Sequence, residues 1–393
     1  MSFKKIIGKI HLWLGLVSGV VVFVISLTGC LYAFQEEIQN LTQSYRFVEP
    51  QSKPFLPPSV LKSIAEKQLP DKHLHAVLYM DRGKAAQVSF FHFEPSYYYI
   101  VYLNPYDGKV LKVKDMDSDF FRIVLQGHFY FWLPPAIGQP FVAYSTLVFV
   151  VLLVTGIVLW WPKNKAAAKQ RFWFNWKQNL KWKRKNYDLH NIFGFYASIF
   201  ILILALTGLV WGFQWFAESV YGLAGGKKSL LFTEPISAPK PENLALNSPA
   251  IDQIWHRMQA EYPKAAVLEV HVPESDTSAI AASANPDAGT YWKTDYRYFD
   301  QYSLKEIKVG HLYGRFEEAS AADKLLRMNY DLHVGAVGGL AGKVLAFLVS
   351  LVATSLPVTG FLIWWGRRKK VPKKVLEPAK AAKTSGGRLI LKS

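Results

Sequence analysis

The stretch HLWLGLVSGVVVFVISLTG, residues 11–29, puts a polar, ligand-capable His11 at the head of an apolar run that closes on Thr28-Gly29. The stretch HNIFGFYASIFILILALTG, residues 190–208, repeats the pattern from His190 to Thr207-Gly208, with the same His-to-Gly offset of 18. His128 and His333 precede two further apolar runs, which end in Thr155-Gly156 and Thr359-Gly360 at offsets of 28 and 27. A histidine repeated at fixed register beside membrane-length segments is costly unless it is used. Four of them, in two matched classes, point to bis-histidine cofactor sites.

Apolar residues make up 51% of the 393-residue chain, and they are clustered. Stretches at about 10–34, 141–161, 192–216 and 341–365 each supply the roughly 20 apolar residues that cross a bilayer. The net charge of +17 is placed just as unevenly. Lys4, Lys5 and Lys9 precede span one. Lys163, Lys165, Lys169, Arg171, Lys177, Lys181, Lys183, Arg184 and Lys185 fill the loop between spans two and three, and Arg367, Arg368, Lys369, Lys370, Lys373 and Lys374 follow span four. The positive-inside bias makes that side cytoplasmic, in a bacterial inner membrane, with both termini on it. Topology accounts for the charge, so membrane lipid is an expected partner and nucleic acid is not.

The expected order is a cytoplasmic segment 1–9, helix 10–34, an outer region 35–140, helix 141–161 and a basic cytoplasmic loop 162–191. Helix 192–216, a second outer region 217–340, helix 341–365 and a basic tail 366–393 complete it. Cys30 is the sole cysteine, which excludes an intramolecular disulfide, and the absence of Cys-x-x-Cys-His excludes covalent c-type haem. Leu27-Thr28-Gly29-Cys30 imitates a lipoprotein cleavage site. Leu206-Thr207-Gly208-Leu209 repeats it where no signal peptide can stand, so the segment reads as a retained helix.

The unit is span, outer domain, span, and it occurs twice. Pro57–Gln68 and Ser248–Glu261 read as short amphipathic helices. Each is followed by aromatic-rich alternating runs, such as Ser96–Leu103 and Thr290–Phe299, which read as strands. Turn-like segments follow at Asn104-Pro-Tyr-Asp-Gly-Lys109-Val-Leu and at Asp300-Gln-Tyr-Ser-Leu-Lys305-Glu-Ile. The first of these turns resembles a PepSY domain. The "H-x-W-L-G-L" of span one, Asp188–His190, "D-L-H-V-G" at Asp331–Gly335 and the closing "L-W-W-P" resemble the PepSY-associated transmembrane family, over about residues 4–368. The resemblance implies an α-helical membrane protein: a four-helix transmembrane bundle from a duplicated unit, with two α+β PepSY-like extracytoplasmic domains. It also implies likeness to inner-membrane ferric-siderophore reductases that hold two haems in a four-helix core.

A b-type haem needs an axial nitrogen and an apolar slot for a flat macrocycle. His11 and Gly15 are four residues apart and share a helix face, as do His190 and Gly194, so each glycine clears room for a ring edge. Both spans start on the same side, which pairs His11 with His190 across an inner haem. His128 and His333, each before a Gly/Pro-rich break, pair across an outer one. Arg122 and Arg327, each six residues ahead of an outer histidine, are candidates for the haem propionates. Asp188 and Asp331 read as residues that cap or orient a helix start. The remaining histidines, His73, His75, His92, His256, His271 and His311, read as surface or packing residues.

The expected activity is ferric-chelate reduction through two non-covalent b-type haems. Electrons come from an unidentified cytoplasmic donor or a quinol, and the acceptor is a ferric siderophore or related Fe(III) chelate. Hard oxygen donors hold Fe(III) far more firmly than Fe(II), so one electron loosens the metal. Competing readings are a membrane-anchored PepSY-type binding or regulatory module and a component of an iron-chelate transporter.

Overall fold

The computed structural model describes residues 2–368, apart from 163, 166–167, 169–170, 175, 177–178 and 243–245. Lys163, Lys169, Lys177, Lys369, Lys370, Lys373 and Lys374 therefore lie outside the described residues. Four long helices dominate: α1 (Phe3–Tyr32), α5 (Pro135–Trp160), α6 (Trp182–Gly212) and α11 (Gly339–Gly366). All four are long and apolar enough to cross a membrane. They close a ring in which α1 packs on α5 and α11, and α6 packs on the same two. Val22, Phe149, Leu152, Leu153, Ala197, Ile201 and Val349 fill its centre, while Val17, Val20, Ile199 and Leu348 stay exposed on the outside, as a lipid-facing surface requires.

The helices begin earlier than the apolar runs. α1 starts at Phe3 and α6 at Trp182, so His11 and His190 lie inside helices and not at their mouths. Lysines with long apolar stems carry the helix through the interface while their heads stay wet. Two of them close the neighbouring helices: Lys4 donates to the Trp161 carbonyl at 3.0 Å and Lys183 to the Gly366 carbonyl at 2.9 Å. Cations at helix carboxyl ends satisfy orphan carbonyls and complement the dipole.

The connections form one eight-stranded antiparallel sheet, to which each contributes four strands. The strands are β1 (Leu74–Tyr79), β2 (Ala86–Phe93), β3 (Ser96–Leu103), β4 (Val110–Asp115), β5 (Val267–His271), β6 (Ile280–Asn285), β7 (Asp295–Phe299) and β8 (Glu306–Ile307), in the order β4-β3-β2-β1-β5-β6-β7-β8. The seam is β1 against β5, with Ala76 opposite His271 and Leu78 opposite Glu269. Joining the two half-sheets removes an exposed edge from each. Helices α3 (Pro58–Glu66) and α8 (Ala250–Glu261) cover one face and bury Leu61, Ile254, Trp255 and Met258 on Val77, Phe90, Val101 and Phe299. Asp252 of α8 ties them together by accepting from Ser59 N and Oγ at 2.8 and 2.6 Å.

Short helices link the sheet to the bundle: α2 (Gln35–Thr42), α4 (Phe120–Tyr130), α7 (Gln214–Leu223), α9 (Ala321–Arg327) and α10 (Asn329–His333). Two glycine corners aim α4 and α10 at the ring. A side chain at Gly138 would strike the Tyr130 carbonyl. Gly335 has φ 77° and lies against the Gly342 carbonyl. Only glycine combines that φ with that approach.

Candidate functional site

The four histidines are held by one device, built four times from residues on neighbouring helices. His11 Nδ1 lies 2.9 Å from Thr155 Oγ1, His190 Nδ1 2.8 Å from Thr359 Oγ1, and His333 Nδ1 2.9 Å from Thr207 Oγ1. His128 Nδ1 lies 2.7 Å from the Ile25 carbonyl and 3.3 Å from Thr28 Oγ1. The glycine after each threonine receives the ring. A methyl added at Gly29 would sit 3.0 Å from His128 Cε1, at Gly360 3.3 Å from His190 Cε1, at Gly156 3.4 Å from His11 Cε1, and at Gly208 3.6 Å from His333 Cε1.

These hydroxyls fix the tautomer. Each threonine donates its one proton to its own helix: Thr28 to Val24, Thr155 to Val151, Thr207 to Ile203 and Thr359 to Ser355, at 2.7–2.8 Å. The oxygen is left as an acceptor, so Nδ1 of each imidazole carries the hydrogen and donates. The second nitrogen, Nε2, is then a bare lone pair. Among the described residues it has no hydrogen-bond partner at any of the four. A neutral imidazole with Nδ1–H tied down and Nε2 free is the form that ligates a metal.

The histidines gather in twos at opposite ends of the bundle. His128 and His333 have ring centres 5.9 Å apart, flanked by Phe129 and Trp211. Bonds of about 2 Å from two imidazole nitrogens to one metal ion put the ring centres roughly 6 Å apart, a spacing that this pair matches. His11 and His190 are close enough to interact electrostatically. His11 and Thr28 are 17 residues apart on α1, which separates the two levels by about 26 Å. Among the described residues no group of three or more His, Cys, Asp or Glu surrounds a metal-sized point.

The other expected site residues have their own surroundings. Gly15 faces Leu152 Cδ2 and Gly194 faces Leu356 Cδ2, so both let helices approach. Arg327 is buried in the sheet domain, where it donates to the Gly314 and Thr294 carbonyls and stacks on Tyr296 and Phe316. Its buried Nε is without a partner among the described residues, like that of Arg122. Arg122 stacks on Tyr98 of β3 at 5.3 Å and lines a cavity on the second sheet face, with its buried Nε unpartnered. Asp188 lies inside α6, paired with Arg184, and caps nothing. Asp331 accepts from Tyr291 N and Trp292 N at 2.8–3.1 Å, which clamps the loop before β7 onto the helix that carries His333.

The threonines and glycines of the cradle were visible in the sequence only as landmarks of the repeat. Their role needed the fold, because each lies at least 100 residues from its histidine. Four apolar helices around a buried core, with histidine pairs at both ends and an antiparallel sheet on one side, define a multi-pass membrane protein. The chain belongs to the family described as the PepSY-associated TM region, whose model matches residues 9–367. No curated protein matches the chain significantly.

Proposed function

We propose that the protein is a di-haem electron-transfer protein of a bacterial inner membrane that reduces a ferric siderophore or related Fe(III) chelate on the sheet side. His11 and His190 hold one b-type haem near the basic ends of the helices, and His128 and His333 hold the other below the sheet. The single observation that carries this reading is the fourfold His–Thr–Gly cradle with its free Nε2 atoms, two at each end. A bound haem supplies reversible one-electron chemistry. The chain supplies axial nitrogens, the hydrogen bonds that orient them and glycines that admit the rings. Its matched halves are an internal duplication, and its basic loops belong to the cytoplasm.

The sheet-end pair is then the exit for electrons. His128 and Arg122 share α4, six residues and about 9 Å apart, which links the pair to the cavity under the sheet. The functional test is stopped-flow reoxidation of dithionite-reduced protein by an Fe(III) tris-hydroxamate. Wild type should reoxidise fast, and His128→Ala/His333→Ala should not. Equal rates would remove the sheet-end pair from the route.

A further inference from the structure

Between the sheet and α4 lies a cavity of about 380 Å³, lined by His75, Gln87, Ser89, Phe91, Tyr98, Arg122 and Glu269 among others. Its size suits a small ligand. His75 enters it through an irregularity in the sheet: Leu74 pairs with Phe90 and Ala76 with Ser89, so His75 is the extra residue of a β-bulge. Bulges re-aim a side chain at the cost of local pairing, and they collect beside functional sites. Here the bulge sets the His75 ring 4.8 Å from His271 and 5.9 Å from Phe91, on the face away from the core.

The charges in the cavity are unbalanced in a specific way. Glu269 is countered by His271 at 3.5 Å, and Glu274 reaches His75 Nδ1 at 3.5 Å. Arg122, from α4, has no carboxylate partner among the described residues, and its buried Nε is free. Tyr98 from β3 is the remaining ionisable group on the wall. An unpaired guanidinium in a half-closed cavity is a site for an anion.

We propose that this cavity is a proton-coupled anion site, where an anionic oxygen-donor ligand docks on Arg122 and His75 takes up one proton as it binds. The identification of the ligand as the metal chelate rests on the proposed function; the anion site itself does not. Burial, with His271 beside it, holds His75 below the ordinary imidazole range, so it is neutral at pH 7 before the ligand arrives. Burial also lowers His271, but Glu269 outweighs it and leaves His271 raised above the ordinary imidazole range, opposite to His75. An incoming anion favours the charged form of His75. Binding therefore draws a proton in, is tightest at low pH, and weakens as pH rises through the pKa of His75 in the complex.

The test is isothermal titration of detergent-solubilised full-length protein with citrate, alone and as its redox-silent Ga(III) chelate, at pH 6, 7 and 8 in buffers of different ionisation heat. Wild-type affinity should fall by up to about tenfold per pH unit, with up to one proton taken up per ligand. His75→Gln should bind with no pH dependence and no proton uptake, and Arg122→Gln should lose binding. Tighter binding of the Ga(III) form supports a chelate site, and tighter binding of citrate supports a site for free polycarboxylates. Wild-type binding that is independent of pH, unchanged proton uptake in His75→Gln, or no binding of either probe would overturn the proposal. No electron moves in this titration, so a preparation without haem would contradict the proposed function and leave the result readable.

Discussion

The Asn186 amide donates to the Thr359 carbonyl at 3.0 Å, and one turn along the same helix His190 meets the hydroxyl of that threonine at 2.8 Å. Two side chains at i and i+4 thus grip one residue of the neighbouring helix. Asn329 and His333 grip Thr207 in the same way, at 3.1 and 2.9 Å. The first half of the chain lacks the amide, since Ile7 and Val124 stand four residues before His11 and His128. Asn186→Ala should therefore loosen the His190 site alone. Thermal melting of haem absorbance should show one of two components shifted, and equal shifts in both would contradict the assignment.

Replacing the threonine is more severe. Thr359→Val keeps the shape and removes the acceptor nearest the His190 Nδ1–H, which should cost about 1–3 kcal/mol. Loss of such a partner lowers metal affinity about 10–100-fold. Thr155→Val should do the same through His11. Haem transfer to apomyoglobin measures the rate, and unchanged transfer in both variants would remove the threonines from the site.

The four glycines should not be equally sensitive. A methyl at Gly29 meets His128 at 3.0 Å, and that ring is pinned by the 2.7 Å bond to the Ile25 carbonyl, so it has little freedom to retreat. A methyl at Gly208 meets His333 at an ordinary 3.6 Å. Gly29→Ala should weaken the sheet-end haem clearly and Gly208→Ala hardly at all, read as haem per protein after gel filtration. The reverse order would mean that the glycines do not seat the rings.

The sheet domain carries an acid-sensitive node. Arg297 is fully buried between Glu261 and Glu306, and Arg315 also reaches Glu306. Partial burial pushes Glu306 up, but its bonds to Arg315 and Arg297 outweigh this and hold it at about 2, below the ordinary 4.5. A depressed carboxylate stabilises the fold above its unfolded pKa, and that stability is lost as pH falls from about 4.5 to 2. Glu306→Gln should cost about 1–3 kcal/mol at pH 7 and flatten the acid limb of the unfolding profile. An unchanged acid limb, followed by circular dichroism, would show that Glu306 is not the titrating group.

Much of this fold can be read along the chain because membrane spans, basic loops and strand alternation are local patterns. The helices around Val22 and Ile201 and the strand Ser96–Leu103 needed no tertiary knowledge. The seam between β1 and β5 was not legible, because nothing at Ala76 or His271 names a partner nearly 200 residues away. Spacing makes Arg327 a candidate for a propionate but fixes neither direction nor partner, and its bonds to the carbonyls of Gly314 and Thr294 needed the fold. Gly15 and Gly194 share a helix face with their histidines, whereas the glycines that the imidazoles lie against, Gly156 and Gly360, stand on other helices and needed the fold.

The haem-to-protein ratio of purified wild type, set beside the His11→Ala/His190→Ala and His128→Ala/His333→Ala variants, tests the central claim most directly. Acid–acetone extraction should release all the haem, as about two per chain in wild type and about one in each variant, with low-spin spectra wherever two imidazoles fill the axial positions. A colourless wild type from haem-replete cells, or the same ratio in all three proteins, would contradict it.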